Sequence, residues 1–218
     1  MPVQAPSAAR GWRGRGPLIG GIVAVAILVS MGVCISAISF AVSNTAGTEG
    51  AAGRTAPNAS GFIEIGDGTH HVGADVQPGT YRTRLPSPNC YWARLSGFGG
   101  SRAEVIANDN DPAPIVITIA PTDKGFQTSG CAPWTSDLSA ITKSRTSFGD
   151  GEFIVGTDVV PGIYRAPGGS DCYWARLKGF GGTLSDLISH DTPQGPVAMT
   201  ITTVDRGFKS SACGTWSA

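Results

Sequence analysis

Apolar and polar positions divide the chain into three regimes. From Leu18 to Val42 the run LIGGIVAVAILVSMGVCISAISFAV is almost wholly apolar. Residues 43–61 are small and polar with no hydrophobic period. Beyond residue 65, short β-branched and aromatic stretches alternate with turns rich in Gly and Pro, the pattern of many short strands. Strand signals fall near 69–72, 79–84, 90–96, 103–107, 114–119 and 124–128, and again near 152–155, 162–166, 172–178, 185–189, 196–201 and 206–210. In both sets a Pro-Gly turn opens the second strand and FGG breaks the third. No segment here has a convincing 3.6-residue period. TLSDLISH has room for one or two helical turns, but its counterpart SRAEVIAN reads equally as a strand. The pattern predicts an all-β ectodomain of small antiparallel sandwiches or partly open barrels.

The apolar run predicts one N-terminal transmembrane helix. Its 25 residues make roughly 37 Å of helix, and a bilayer core needs about 20 residues. Arg10, Arg13 and Arg15 flank its N-terminal end, and no basic residue follows until Arg54. The positive-inside rule then places a basic tail, 1–17, in the cytoplasm and the remainder outside, with Trp12 as an interfacial anchor. A cleaved signal peptide is the alternative, but the run is longer than the usual apolar region and lacks a clean small-x-small stop. Cys34 has apolar chain on both sides and no lipoprotein context, so it reads as a lipid-embedded apolar residue. Residues 43–65 read as a flexible linker carrying one glycosylation sequon, Asn58-Ala59-Ser60.

The strands come in two sets because the chain contains a duplication. Gly66–Arg82 aligns with Gly149–Arg165, and Asn89–Thr135 with Asp171–Ser217, with 32 identities in 64 pairs. Two β repeats follow, 66–136 and 149–218, joined by 137–148. Each repeat holds two cysteines 41 residues apart. Equivalent domains must fold equivalently, which selects Cys90–Cys131 and Cys172–Cys213 from the three possible pairings. An oxidising compartment permits both bridges. Each should contribute roughly 4 kcal/mol in the chain-entropy model, which suits a domain near the size where a core alone is marginal.

Charge adds little. The chain carries 16 basic and 16 acidic side chains, and after the basic tail the balance is 13 to 16. A net of −3 does not argue for nucleic acid. Neither a C-x-x-C nor equivalently placed histidines point to a metal, and no cofactor motif is present.

The motifs GDG-x3-VG-x-DV-x-PG-x-YR, CYWARL-x-GFGG and D-[KR]-GF-x4-C-x2-W resemble a repeat domain of actinobacterial envelope proteins. That resemblance covers 66–136 and 149–218. It implies an extracytoplasmic location and a modular build in one or more copies, and brings no activity with it.

On a strand, CYWARL sets Cys90, Trp92 and Arg94 on one face and Tyr91, Ala93 and Leu95 on the other, and copy two repeats this with Trp174 and Arg176. The Trp/Arg face has two readings. It is an aromatic platform for a sugar ring or peptide with Arg as a clamp. Or Trp packs on the disulfide, completed by Trp134 and Trp216, while Arg stacks on it or pairs with Asp123 and Asp205. Asp75 and Asp158 read as turn caps. Asn108-Asp109-Asn110-Asp111 reads as a solvated turn, since it lacks the Gly and distal Glu of a calcium loop. His190-Asp191 lacks a nucleophile elbow, and copy one has Asn108 there.

No acid, base or nucleophile set is duplicated, so no catalytic residue is assigned and the chain is not expected to be an enzyme. The leading expectation is a binding or display module of the cell envelope, with wall glycan or a protein as ligand and Trp92, Arg94, Trp174 and Arg176 as binding residues. An accessory subunit of a membrane complex is the alternative, and a hydrolase comes third.

Overall fold

A computed structural model describes residues 57–218. The basic tail 1–17, the apolar run 18–42 and the linker up to residue 56 lie outside the described residues. Each repeat is a sandwich of two four-stranded antiparallel sheets. In the first, β1 (Glu64–Ile65), β8 (Trp134–Thr135), β3 (Gly79–Thr83) and β6 (Val116–Ile119) lie side by side in that order. Facing them is the order β2 (Gly68–His71), β7 (Gly125–Ser129), β4 (Tyr91–Leu95) and β5 (Val105–Asn110). The second sandwich repeats this topology. One sheet is β9 (Ser147–Phe148), β16 (Trp216–Ser217), β11 (Gly162–Ala166) and β14 (Val197–Ile201). The other is β10 (Gly151–Ile154), β15 (Gly207–Ser211), β12 (Tyr173–Leu177) and β13 (Leu187–Asp191). The all-β expectation holds among the described residues, and the twelve expected strands are present.

The two-residue strands carry no sequence signal of their own. They exist because residues flanking the repeat pair with its end: Ile65 sits opposite Trp134, and Phe148 opposite Trp216. Residues 57–65, at the end of the stretch read as linker, are held as well. Asn58 Oδ1 accepts from the Phe62 amide at 3.1 Å and its Nδ2 donates to Glu64 at 2.9 Å.

One expectation shifts. Strands read at 103–107 and 185–189 begin later, because short 3-10 turns occupy Arg102–Glu104 and Leu184–Asp186. Glu104 accepts from the Ser101 amide at 3.0 Å, and Asp186 from the Thr183 amide at 3.0 Å. This reciprocal cap favours a turn over an extended start. The strands then run on through Asn110 and Asp191, so Asn108–Asn110 is strand rather than solvated turn.

Each core forms where alternating inward residues of the two sheets meet. The first holds Ile65, Tyr81, Ile117, Ile119, Phe126 and Trp134; the second holds Phe153, Tyr164, Ile201, Phe208 and Trp216. Trp134 and Trp216 belong to the same cores as Trp92 and Trp174, together with the bridged cysteines. Trp134 and Trp216 meet Phe126 and Phe208 edge-on at 5.4 and 5.3 Å, and each indole N–H donates at 2.8 Å to Thr128 or Ser210. The bridges are Cys90–Cys131 and Cys172–Cys213, as the duplication required.

Both V-G-x-D-V segments form the same turn. Gly73 and Gly156 adopt φ 89°, open to glycine at little cost. Asp75 accepts from the His71 amide at 2.8 Å, and Asp158 from the Ile154 amide at 2.7 Å.

Candidate functional site

The Trp/Arg strands combine parts of both sequence readings. Arg94 donates through Nε and Nη2 to Asp123 at 2.7 and 2.8 Å; Arg176 does the same to Asp205 at 2.8 and 2.8 Å. Burial alone would raise the Asp205 carboxyl, but hydrogen bonds from Arg176 and Thr202 outweigh it and hold it below the usual range. The two arginines differ in what lies over them. Arg94 and Trp92 are 6% and 3% exposed, because the second repeat covers them. Arg94 Nη1 donates to the Gly181 carbonyl at 2.6 Å. The Trp92 ring lies so close to Gly182 that a Cβ there would sit 2.4 Å from it. Trp174 and Arg176 have no such cover and are partly exposed.

The repeats thus meet through different faces of the same domain. The first contributes β4, β5 and the edge strand β6; the second contributes the Phe180–Gly182 loop, β10 and Lys209. Thr118 N–H donates to the Phe180 carbonyl, and Glu152 N–H to the Pro114 carbonyl, each at 2.8 Å. These bonds cover the edge of β6. Deep in the junction Arg82 forks onto Asp158 at 3.1 and 3.2 Å, both side chains fully buried. The connecting segment joins the same knot. Ser139 carbonyl accepts from Arg82 at 3.2 Å, and Ile141 N–H donates to Asp158 at 2.9 Å.

A second charged cluster sits nearby. Lys209 of β15 pairs with Asp109 and, at 3.0 Å, with Asp111. Glu152 of β10 accepts from the Val116 amide at 3.2 Å. Burial pushes the Glu152 carboxyl up to about 7, against the pull of Lys209. Burial would lower the Lys209 ammonium, but Glu152, Asp109 and Asp111 together leave it raised.

This cluster borders a cleft of about 480 Å³ between the repeats. The rings of Trp92 and Tyr173 line it, with Asn108, Asn110 and Leu184 at exposed positions. The Trp92 indole N–H is buried and has no hydrogen-bond partner. The arrangement offers apolar ring faces and planar amide and carboxylate groups, a set suited to a polyhydroxylated ligand. Among the described residues no group of three His, Cys, Asp or Glu is placed to hold a metal ion.

Of the four expected binding residues, Trp92 borders the cleft, Arg94 is consumed by the junction, and Trp174 with Arg176 lies on the uncovered face of the second repeat. The charged cluster is not legible from the duplicated motifs, because it is built at positions where the copies differ. Lys209 aligns with Gln127, Glu152 with Thr69, and Asp111 with Pro193. Charges present in only one copy were the available signal of a one-way contact.

Two mycobacterial proteins are similar to this chain: uncharacterized protein Rv1352 of Mycobacterium tuberculosis and uncharacterized protein Mb1387 of Mycobacterium bovis. Each is 33% identical over 82 residues, covering 32% of this chain and 67% of the relative. No solved structure matches. A family described as the Rv1352-like extracellular domain matches twice, over residues 63–135 and 145–217, which coincide with the two sandwiches. The chain therefore belongs to the Rv1352-like extracellular domain family, in two extracytoplasmic copies.

Proposed function

We propose that the protein is a non-catalytic binding module of the cell envelope, held to the membrane by the 18–42 helix, with a saccharide of the wall in the inter-repeat cleft. The observation that carries this reading is a cleft faced by two aromatic residues, Trp92 and Tyr173, and by the side-chain amides of Asn108 and Asn110. Sugars present apolar ring faces and fixed hydroxyls, which such a lining complements.

The test is retention of the full-length chain on insoluble cell wall, compared with Asn110→Ala/Leu184→Ala. Both residues are exposed, so the fold should survive their truncation. Retention by the native chain and its loss in the variant support a saccharide cleft. No retention by either moves the reading to an accessory subunit, for which co-purification with a membrane partner is the measurement. A hydrolytic reading has one observation in its favour, the Glu152 carboxyl held to about 7. Release of soluble sugar that stops in Glu152→Gln would establish it.

A further inference from the structure

The contact between the repeats is heterologous, and such a contact leaves one half of itself unused at each end. The first repeat uses its acceptor face: Trp92, Arg94, Val116, Thr118 and Arg82. The second uses its donor face: the Phe180–Gly182 loop, Glu152 and Asp158. Among the described residues, the Trp174/Arg176 face of the complementary halves remains partly exposed and the Phe98–Gly100 loop exposed. On the second repeat the acceptor positions are Trp174, Arg176, Ala198, Thr200 and Arg165. Val116 is 1% exposed and Arg82 0%, whereas their equivalents Ala198 and Arg165 are exposed. The edge of β14 thus lacks the cover that β6 receives. On the first repeat the donor loop is Phe98-Gly99-Gly100, with Phe98 46% exposed and both glycines open.

The geometry points to a second copy of this chain as the occupant: the Phe98–Gly100 loop of one molecule docks on the Trp174/Arg176 face of the next. The identity of the occupant is carried by the same two surfaces already joined within the chain. The parts that make that contact are retained at the open halves. Gly100 stands where Gly182 lies against the Trp92 ring, and both have φ near +75°, at 76° and 72°. Arg176 stands where Arg94 donates to the Gly181 carbonyl, with Gly99 as the matching acceptor. Thr200 stands where Thr118 donates to the Phe180 carbonyl, and Arg165 where Arg82 stands in the first repeat. The lysine cluster is not retained, since Gln127 replaces Lys209 and Pro193 replaces Asp111. The contact between molecules is therefore weaker than the contact within one, and reversible. Being heterologous, it extends end to end unless its rotation closes a ring.

Two variants on opposite halves test this in the full-length chain in detergent, by particle mass across a concentration series. Gly100→Asn keeps a residue that tolerates positive φ but fills the space facing Trp174. Ala198→Glu places a larger, charged side chain on the acceptor edge, opposite its cross-strand partner Arg165. The native chain is expected to add whole-chain increments as concentration rises. Each variant alone is expected to stay at the mass of one chain. Mixed, they retain one good donor and one good acceptor, so the mixture is expected to stop at two chains. That restored dimer also shows that both variants are folded. A native chain that stays single throughout, a variant that assembles like the native chain, or a mixture that stays single overturns the proposal.

Discussion

At the residue scale, duplicated positions have come to hold different jobs, and mutation separates them. Arg82 and Arg165 are the same repeat position. Arg82 lies fully buried against Asp158 while Arg165 is exposed. Removing one partner of a buried pair strands the other charge. Arg82→Ala should therefore cost about 3–5 kcal/mol in denaturant unfolding, and Arg165→Ala within about 0.5 kcal/mol. Equal effects would place Arg82 in a more hydrated setting than its burial indicates.

Glu152 makes the second residue-scale prediction. Its carboxyl moves from an ordinary value of 4.5 up to about 7 in the folded chain. Between those values the folded state holds a proton that the unfolded state has released. Stability from this group is thus fully present below pH 4.5 and is lost as pH rises through about 7. The loss amounts to about 3 kcal/mol. Melting curves of the native chain should show this decline with rising pH, and Glu152→Gln should flatten it.

At the element scale, the long strands were legible because period-2 alternation and turn residues mark them directly, and the duplication confirmed each against its twin. The bridges were legible for the same reason. Paired short strands such as β1 and β8 were not, because two residues cannot show a period and pairing depends on distant chain. The site was half legible. CYWARL drew attention to Trp92 and Arg94, but alternation along one strand says nothing of a second domain lying over it. The capped turn at Ser101–Glu104 carries its own signal, a Ser with Glu three residues on, which competes there with the strand propensity of the Val105-Ile106 pair that follows. A test at this scale follows from the bridges. Cys172→Ala/Cys213→Ala should cost about 2–5 kcal/mol. The second sandwich should melt first when that protein is heated, read by the loss of protection in β12 and β15 under hydrogen exchange.

For the whole molecule, the question is whether the two sandwiches act as one body. The buried Arg82–Asp158 pair, the covered edge of β6 and the Lys209 cluster all cross the junction, and the connecting segment is tied into it. Joining domains through a short segment gives an effective concentration in about the millimolar range, so even a modest contact stays closed. The chain should accordingly unfold as one cooperative unit. Gly182→Asn breaks the junction where it is tightest, since any Cβ there meets the Trp92 ring, and Asn accepts the φ of 72°. Neither core contains residue 182, so each sandwich should remain folded. Calorimetry should then resolve two transitions where the native chain gives one, and Trp92 emission should shift to longer wavelength as the ring meets water. The same variant should lose wall retention if the ligand sits in the cleft, because the cleft exists only while both repeats face each other. It should leave chain-to-chain assembly through Phe98–Gly100 and Trp174 intact, since neither half of that contact includes residue 182. A single transition with unchanged emission would mean that the junction adapts around the new side chain.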